Sequence, residues 1–515
     1  MWGLAQARSL TPRGTMKRKL AVALAAVLTL AACGSSGSSG SSGSDDSAET
    51  TDAAIETDEP AENVAPVETD APAETDAPAA TDAPGETDPP AGADGVLRVP
   101  DDFGAIQEAV DAAAPGDLVL VSPGIYNEAV NVVTDEITIR GTDRAGVVLD
   151  GEFELDNGIR VLGAKGVVVE NLTTQNYTSN GVFFTSAIGY RASYVTAIRN
   201  GDYGIYAFDS INGQIDNSFG SGSPDAGFYI GQCFPCDSII DNVISEHNGL
   251  GYSGTNAGGN LVIMNSTFRN NRAGIVPNSG SYELCYPERD TTIVSNIVHS
   301  NNQADTPAID VAILAMGNGI LVPGGIDNTI TKNLVFDHDK TGIGLVPFLE
   351  EGANDDLPTP DEWDVGCAEQ REEPPAEEIP DTLLWEAQNN RVTLNDVSDS
   401  RVADIAVEGV GMATEELGNC WGGNIFSTSA PQNLENLAPC EGEGSGDWTL
   451  GVLNVLTWLA DIDTAPPPVN YKEAVIPDPP ELPNMPDAET APVNPATNIV
   501  VDIDLDAMVV PAKPA

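Results

Sequence analysis

Basic residues are scarce in this chain. Its 515 residues include 22 Lys and Arg against 79 Asp and Glu, a formal net charge of −57 at pH 7. Because so acidic a surface repels phosphate backbones, nucleic-acid binding is excluded as a function. The acidity has two interpretations: solubility in a salty or extracellular medium, or binding of Ca²⁺ on carboxylates. We favour solubility and keep Ca²⁺ as the candidate cofactor.

Aromatic residues and histidines are also few, at 6% of the chain and three residues respectively. Glycine and proline are abundant, with 51 and 37 residues. This balance is typical of many short strands joined by tight turns, and it argues against a helical bundle.

The N-terminus carries an export pattern. A basic segment at 16–19 precedes an apolar run at 20–30, which is too short to span a bilayer as a mature helix. The run ends in Leu-Ala-Ala-Cys at residues 30–33 and resembles a bacterial lipoprotein signal with its lipobox. The resemblance implies lipid on Cys33 and anchoring on the outer side of the cytoplasmic membrane, at the cell surface or in the periplasm. Met1 or Met16 is the initiator, and the position of the basic segment favours Met16.

The next segment has the composition of a stalk. Residues 34–44 are only Gly and Ser, and residues 45–94 are rich in Ala, Pro, Thr, Asp and Glu without any Lys or Arg. Such a segment cannot bury a core and repels itself into an extended chain. We expect a signal peptide over 1–33 and a disordered stalk over 34–95.

A glycine followed by a β-branched or aromatic residue then recurs at a nearly fixed step. The glycines are Gly158, Gly181, Gly204, Gly227, Gly251, Gly274, Gly319 and Gly342, with spacings of 23, 23, 23, 24, 23, 45 and 23. A fixed period of this length indicates a solenoid. Short alternating strands stacked about 4.8 Å apart on successive coils bury a continuous apolar core.

The first folded residues show which solenoid this is. Segment 105–110 (Ala-Ile-Gln-Glu-Ala-Val) lies in a predicted helix that ends at Pro115-Gly116, and strands are predicted at 118–121, 129–132, 137–140 and 147–149. Together with 123–128 (Pro-Gly-Ile-Tyr-Asn-Glu), these segments resemble the start of right-handed parallel β-helix proteins of the pectin lyase-like superfamily, which includes pectin methylesterases, pectate lyases and alginate epimerases. The resemblance implies an all-β, right-handed parallel β-helix with an N-terminal capping helix. The chemical motifs of pectate lyases and alginate epimerases do not recur in this sequence.

We expect the β-helix to span residues 96–410 and an irregular C-terminal cap with a Pro-rich segment to span 411–515. The apolar segment 450–459 is the candidate cap, and much of 464–515 is expected to run along the solenoid wall. Three inserts follow equivalent strands and are numbered in chain order: the first at 232–237, the second near 278–290 and the third near 348–386. A further insert near 303–316 leaves another turn.

Two polar columns accompany the repeats. The first holds Asn171, Tyr194, Asn217, Asn242, Asn265, Asn296 and Asn333 at predicted left-handed turn positions. The second, five residues further on and predicted to face outward, holds Asn176, Arg199, His247, Asn270, Asn301 and His338. Because at least three coils separate its two histidines, they lie roughly 14 Å or more apart, too far for one metal ion.

The catalytic candidates are Asp337, His338 and Lys340. A carboxylate beside a histidine can orient the ring and raise its basicity, and a lysine can neutralise a uronate carboxylate. The alternative, which we favour, is a solvated turn. The sugar-stacking candidates, Phe234, Tyr282, Tyr286 and Trp363, lie in inserts expected to emerge on one side of the helix. Their alternative role is to pack the inserts onto the body, which we expect for half of them.

Six cysteines remain once Cys33 is lipidated, an even number that favours disulfides in an exported chain. Cys420–Cys440 is the favoured pair by its isolation. For the other four, Cys233–Cys236 with Cys285–Cys367 and a crossed arrangement both remain open.

Three functions follow. The first is binding of polysaccharide by an anchored monomer, with processing by a lyase, hydrolase or epimerase activity as its extension. The second is a non-catalytic surface adhesion or scaffold module. The third, favoured least because histidines are few and methionines do not cluster, is an accessory factor for export or metal-enzyme maturation.

Overall fold

Three long parallel sheets form the walls of a solenoid. The computed structural model describes residues 95–354, 367, 380–460, 465–498 and 503–514. Each strand pairs in parallel with the equivalent strand of the next coil, as between Val182 and Ile205. The predicted all-β parallel β-helix is therefore confirmed. The predicted signal peptide, its lipidated cysteine and almost all of the stalk lie outside the described residues.

The secondary-structure elements are numbered in chain order. Sheet A contains β1 (Val96–Val99), β2 (Leu118–Val121), β5 (Thr138–Gly141), β8 (Lys165–Glu170), β11 (Ile188–Ser193), β14 (Gln214–Asp216), β17 (Ser238–Asp241), β20 (Gly258–Met264), β23 (Arg289–Val294), β26 (Thr329–Thr331), β31 (Arg391–Thr393) and β34 (Cys420–Gly422). Sheet B contains β3 (Gly124–Tyr126), β6 (Val147–Asp150), β9 (Thr173–Gln175), β12 (Thr196–Ile198), β15 (Phe219–Ser221), β18 (Ile244–Glu246), β21 (Thr267–Arg269), β24 (Ile297–His299), β27 (Leu334–His338) and β32 (Asp396–Ser400). Sheet C contains β4 (Val130–Val132), β7 (Ile159–Leu162), β10 (Val182–Thr185), β13 (Tyr203–Phe208), β16 (Ala226–Gly231), β19 (Leu250–Thr255), β22 (Ala273–Asn278), β25 (Ile320–Pro323), β28 (Thr341–Val346), β33 (Ala403–Val407) and β35 (Ser429–Ala430). An antiparallel pair, β29 (Phe348–Glu351) and β30 (Thr382–Trp385), projects from the third insert, and the α-helices are α1 (Ile106–Ala112), α2 (Asp310–Ala315), α3 (Leu434–Leu437) and α4 (Val455–Ala460).

Helix α1 caps the first coil, as predicted. It buries Ile106, Ala109 and Val110 against that coil. The carboxylate of Glu128 accepts hydrogen bonds from the backbone N–H groups of Ile106 and Gln107, both at 3.0 Å, so the helix N-terminus is satisfied. The cap therefore covers the end of the solenoid core, which would otherwise face water.

The residue after each repeat glycine stacks on its equivalents inside the solenoid. The stack in sheet C runs through Ile159, Val182, Ile205, Phe228, Tyr252, Ile275, Ile320, Ile343 and Ile405. Burial of each such side chain contributes about 1.5–3 kcal/mol. The glycine is needed because coils approach closely there: a Cβ on Gly204 would lie 2.5 Å from the Gly227 carbonyl oxygen.

The two predicted polar columns are correct only in the earlier coils. Positive φ angles occur, as predicted for the first column, at Asn171, Tyr194, Asn217, Asn242 and Asn265. They also occur in the second column, at Asn176, Arg199, His247 and Asn270. In later coils the left-handed residues are Ser295, Lys332, Ser300 and Asp337. Asn296, Asn333, Asn301 and His338 each lie one residue further and are buried. A shift of one residue moves a side chain to the other face of the strand, so the outward placement of Asn301 and His338 was wrong.

The shifted asparagines form hydrogen-bonded ladders inside the wall. In one ladder each backbone N–H donates to the side-chain Oδ1 of the next coil at 2.9–3.0 Å, through Asn296, Asn333, Asn395 and Asn424. The carboxylate of Glu435 ends this ladder, accepting from the backbone N–H and the side-chain amide of Asn424, both at 2.8 Å. These polar groups are satisfied inside the protein, as burial requires.

The C-terminal residues 465–498 and 503–514 run along the solenoid wall, as predicted for much of this segment. Arg140 donates to the carbonyls of Ala488, Ala491 and Pro492 at 2.7–3.2 Å. Further along, the apolar side chains of Ile503, Leu505 and Met508 pack against Ile239, Val262, Met264 and Val294 on the outer face of sheet A. The segment therefore covers much of that face. In the part of the chain that the structure describes, no helix is long and apolar enough to cross a membrane.

Candidate functional site

The three predicted catalytic residues do not converge. His338 is 1% exposed, and its Nε2 lies 3.3 Å from the side-chain amide nitrogen of Asn301. Asp337 faces solvent, where one carboxylate oxygen accepts from Ser300 Oγ at 2.7 Å. Adjacent residues of a strand point to opposite faces, so the Asp337 carboxylate cannot orient the His338 ring. The prediction that these residues act together at the surface was therefore wrong.

Burial also removes His338 from acid–base chemistry. Desolvation, with a smaller effect of His299, lowers the pKa of His338 to about 3. The ring is therefore neutral at physiological pH. It lies at the end of a second ladder, which runs through Asn248, Asn271 and Asn301. Lys340 Nζ lies 3.4 Å from the Leu314 carbonyl and 4.9 Å from the Trp458 ring centroid, at the junction between α2 and the C-terminal cap.

The predicted sugar-stacking aromatics pack within the inserts. The Phe234 ring lies 3.7 Å from the guanidinium carbon of Arg289, and the Tyr282 hydroxyl accepts a hydrogen bond from Asn278 at 3.0 Å. Tyr286 contacts Trp385 edge to face at 5.5 Å. The packing alternative thus describes Phe234, Tyr282 and Tyr286, while Trp363 lies outside the described residues.

The inserts lie together and are joined to one another. The backbone N–H of Leu284 donates to the side chain of Gln232 at 3.0 Å, which links the first insert to the second. Glu350 links the second to the third, because its carboxylate accepts from the N–H and hydroxyl of Ser281 and from the indole N–H of Trp385, at 2.7–3.0 Å. The cysteines pair as Cys233–Cys236, Cys285–Cys367 and Cys420–Cys440. This selects the uncrossed arrangement.

A cluster of five aromatic side chains on the outer face of sheet C is the best candidate site. We call it the aromatic platform: Phe183, Tyr203, Tyr206, Phe208 and Tyr229. Phe183, Tyr206 and Tyr229 occupy equivalent positions on β10, β13 and β16. Their neighbours along each strand are buried in the core, so alternation turns these rings outward. All are half-buried except Tyr229, which is 1% exposed.

The rings of the platform stack closely on Tyr206. Its ring centroid lies 4.3 Å from Tyr203 with an interplanar angle of 7°, and 4.9 Å from Phe183 at 26°. Tyr229 is tilted against Tyr206 at 4.6 Å, and Phe208 lies 5.8 Å away. Such a cluster holds its rings in fixed orientations. It therefore presents a rigid surface of half-buried rings on two coils, supported from below by the buried Tyr229 of the third.

Carboxylates border the platform. Tyr229 donates its hydroxyl to Glu283, at 2.6 and 2.8 Å from the two carboxylate oxygens, and Glu283 belongs to the second insert. Tyr203 donates its hydroxyl to Asp225. Burial raises the pKa of Asp225 to about 7, opposed by that hydrogen bond and assisted by the charge of Asp202 on the preceding coil. Asp225 is thus an acid that exchanges its proton near neutral pH.

The other side of the platform is bounded by the insert that carries α2. The backbone N–H of Ile309 donates to the Pro224 carbonyl at 3.0 Å, next to Asp225. Beyond it, Ala312 and Ala315 pack with Leu250 and Ala273 over the later strands of sheet C. The platform is therefore the part of this face that lies between the two inserts.

The sequence contained a signal for the platform. Phe183, Tyr206 and Tyr229 recur at steps of 23, two residues after the repeat glycines. Sequence reasoning places the sugar-stacking rings in the inserts rather than on the strands, and it therefore does not find the platform. Within the described ranges, no group of three or more His, Cys, Asp or Glu residues is placed to hold a metal ion.

Comparison with known proteins identifies the fold. Residues 157–346 match the family model of the right-handed β-helix region, and no curated protein matches the chain. Similar solved structures include the A-module of mannuronan C-5 epimerase AlgE4 from Azotobacter vinelandii, with 16% identity and a TM-score of 0.39 over 66% of this chain and 95% of that one.

Alginate lyase from Paenibacillus sp. FPU-7 has 14% identity and a TM-score of 0.34, over 63% of this chain and 95% of that one. Pectate lyase Pel9A has 12% identity and a TM-score of 0.35, over 66% of this chain and 75% of that one. The three parallel sheets and the family model that matches residues 157–346 show that the chain folds as a right-handed parallel β-helix.

Proposed function

We propose that the chain is a lipid-anchored cell-surface β-helix protein that binds polysaccharide on the aromatic platform. The observation that carries this proposal is the cluster of half-buried outward rings, in which Phe183 and Tyr203 both stack on Tyr206 and leave part of each ring at the surface. Aromatic rings offer a flat apolar surface to the C–H face of a sugar ring. The carboxylates of Asp225 and Glu283 lie where they can accept hydrogen bonds from sugar hydroxyls.

Binding is tested by titrating immobilised polysaccharides with the exported domain and with two variants. Tyr206→Ala removes the central ring of the platform. Phe336→Ala is the matched control, because Phe336 lies on sheet B, stacked on His299 at 4.7 Å. We expect at least about tenfold weaker binding for Tyr206→Ala, or about 1.4 kcal/mol, and unchanged binding for Phe336→Ala. No binding of the wild type to any glycan, or equal binding by both variants, would contradict the proposal.

Anchoring rests on the sequence pattern around Cys33 and has its own test. Cys33→Ala should release the full-length protein from the membrane fraction of the producing cell and prevent incorporation of labelled fatty acid. Retention of the variant in the membrane fraction would exclude lipid on this cysteine as the anchor.

Cleavage of the bound glycan is a second candidate, favoured by the acid at the edge of the platform. Asp225, with a pKa of about 7 and a hydrogen bond from Tyr203, can donate or accept a proton at neutral pH. Product assays for new reducing ends and unsaturated sugars should then show turnover that is lost in Asp225→Asn and kept in Asp337→Asn. Binding without turnover by the wild type would leave a non-catalytic surface module.

A further inference from the structure

The charges around the platform bear on which sugars it accepts. Three carboxyl groups surround the stacked rings: Asp202, Asp225 and Glu283. They come from different elements, since Asp202 and Asp225 precede β13 and β16 while Glu283 reaches Tyr229 from the second insert. Any sugar lying across Tyr206 would have carboxyl groups on both sides.

The basic side chains next to this region are already engaged. Arg160, which pairs in register with Phe183, donates to Asn131 at 3.0 Å and lies 3.6 Å from the carboxylate of Asp156. Lys472 donates to the Phe153 carbonyl at 3.1 Å. Since the entire chain carries a net charge of −57, the wider surface adds repulsion toward polyanions rather than attraction.

We propose that the platform selects glycans whose bound sugars carry no carboxylate, and that uronate chains are excluded by Asp202, Asp225 and Glu283. The inference rests on the proposed function and names its substrate class. A neutral sugar can lie across the exposed part of the platform and donate its hydroxyls to these carboxylates. A uronate would bring an additional negative charge among them, and Arg160, the arginine in register with Phe183, is already paired with Asp156.

The experiment compares neutral and uronate oligosaccharides of equal length, titrated into the full-length protein at low salt in EDTA. We expect neutral oligosaccharides to bind at least about tenfold more tightly than uronates, because like charges at this range repel measurably when poorly screened. The ratio should shrink in 1 M salt, where the Debye length falls to about 3 Å. Addition of Ca²⁺ should not restore uronate binding.

A charge-removing variant tests the three carboxyl groups directly. Asp202→Asn, Asp225→Asn and Glu283→Gln combined should lower the ratio of neutral to uronate affinity at least about fivefold. The matched control combines Asp337→Asn, Asp339→Asn and Asp399→Asn, which remove three carboxyl groups near sheet B, and its ratio should stay that of the wild type. Circular dichroism and thermal melting verify that each variant is folded.

The outcomes separate this inference from the proposed function. Uronates that bind as tightly as neutral chains, or that do so once Ca²⁺ is added, overturn the substrate class and leave glycan binding in place. A ratio that changes equally in both triple variants assigns the selectivity to overall charge and overturns the role of the three carboxyl groups. If neither class of glycan binds, the proposed function itself fails.

Discussion

The side-chain amide of Asn301 lies 3.3 Å from Nε2 of His338, inside the wall of the solenoid. Asn248, Asn271 and Asn301 form the preceding rungs, each accepting a backbone N–H through its side-chain oxygen at 2.9–3.1 Å. His338 thus holds the position that asparagine holds on earlier coils. Its role is that of a ladder residue, and the pH at which it is protonated becomes a property of folding.

Stability should therefore depend on pH through His338. Its folded-state pKa is about 3 against a usual 6.5, so below pH 6.5 the unfolded chain gains a proton that the folded protein does not. The free energy of unfolding falls accordingly, by about 2 kcal/mol between pH 7 and pH 5. His338→Asn keeps a ladder residue without this titration. Denaturant unfolding at pH 7 and pH 5 measures the decrease in the free energy of unfolding for each protein. This decrease should be smaller in the variant than in the wild type by about 2 kcal/mol. Equal decreases in both proteins would contradict the prediction.

The buried acid Glu288 should act with the opposite sign. Desolvation raises its pKa to about 8 from 4.5, so the folded protein holds a proton that the unfolded chain releases. The free energy of unfolding should fall as the pH rises from 4.5 toward 8. Glu288→Gln, which keeps an acceptor for Asn328, should remove that component. The check is the same unfolding series, in which an unchanged slope between pH 5 and pH 8 would exclude the effect.

Glu350 should hold the inserts together. Glu350→Ala leaves the hydrogen-bond donors of Ser281 and Trp385 without their acceptor, a cost of about 1.5–3 kcal/mol for bonds to a charged group. Amide hydrogen exchange at 278–290 should become faster than in the wild type. The control is Glu351→Ala, one residue further along β29. Equal protection of this insert in the two variants would show that Glu350 does not join the inserts.

Glu435 should secure the last coil. Removing its carboxylate leaves the backbone N–H and the side-chain amide of Asn424 without a hydrogen-bond acceptor, which costs about 1–3 kcal/mol. Glu435→Ala should lower the free energy of unfolding by that amount and speed exchange around β34. Glu441→Ala, at an exposed position, should change stability by less than about 0.5 kcal/mol. Similar values for the two variants would argue against a ladder that needs an end residue.

Replacing Arg140 should lower the free energy of unfolding by several kcal/mol. Its Nε lies 2.6 Å from the carboxylate of Glu170, with both side chains at most 1% exposed, and its other nitrogens bind the C-terminal segment. Arg140→Met leaves Glu170 buried and unpaired, for a loss of about 3–5 kcal/mol. Arg401→Met breaks an ion pair whose arginine is 74% exposed, so about 0–1 kcal/mol is expected. Chemical unfolding compares the two, and a small effect at Arg140 would mean that the segment is held by other contacts.

The fold was largely readable from the sequence because its causes are local and periodic. The repeat glycines mark the points where coils approach, and the residue after each, such as Ile205, enters the core. The apolar face of α1 likewise follows from the spacing of Ile106, Ala109 and Val110. These features depend on period and alternation alone.

The site was less predictable because it depends on single-residue register and on contacts between distant segments. The counting of repeats assigned His338 to the outer face, while the longer coils created by the inserts shift it by one residue into the wall. Tyr229 and Glu283 lie 54 residues apart in sequence, and only the packing of the second insert brings them into contact. The platform has a sequence signal, the recurrence of Phe183, Tyr206 and Tyr229 every 23 residues. The prediction of sugar-stacking rings in the inserts does not use it.

The most direct test of glycan binding on the aromatic platform is the location of the bound glycan. It is measured by hydroxyl-radical footprinting with mass spectrometry at saturating ligand. We expect bound glycan to protect Phe183, Tyr203 and Tyr206, on β10 and β13, from labelling. Labelling of Phe336 on sheet B and of Tyr286 in the second insert should be the same as in the free protein. Protection confined to Phe336 or Tyr286, with the platform labelled as in the free protein, would contradict it.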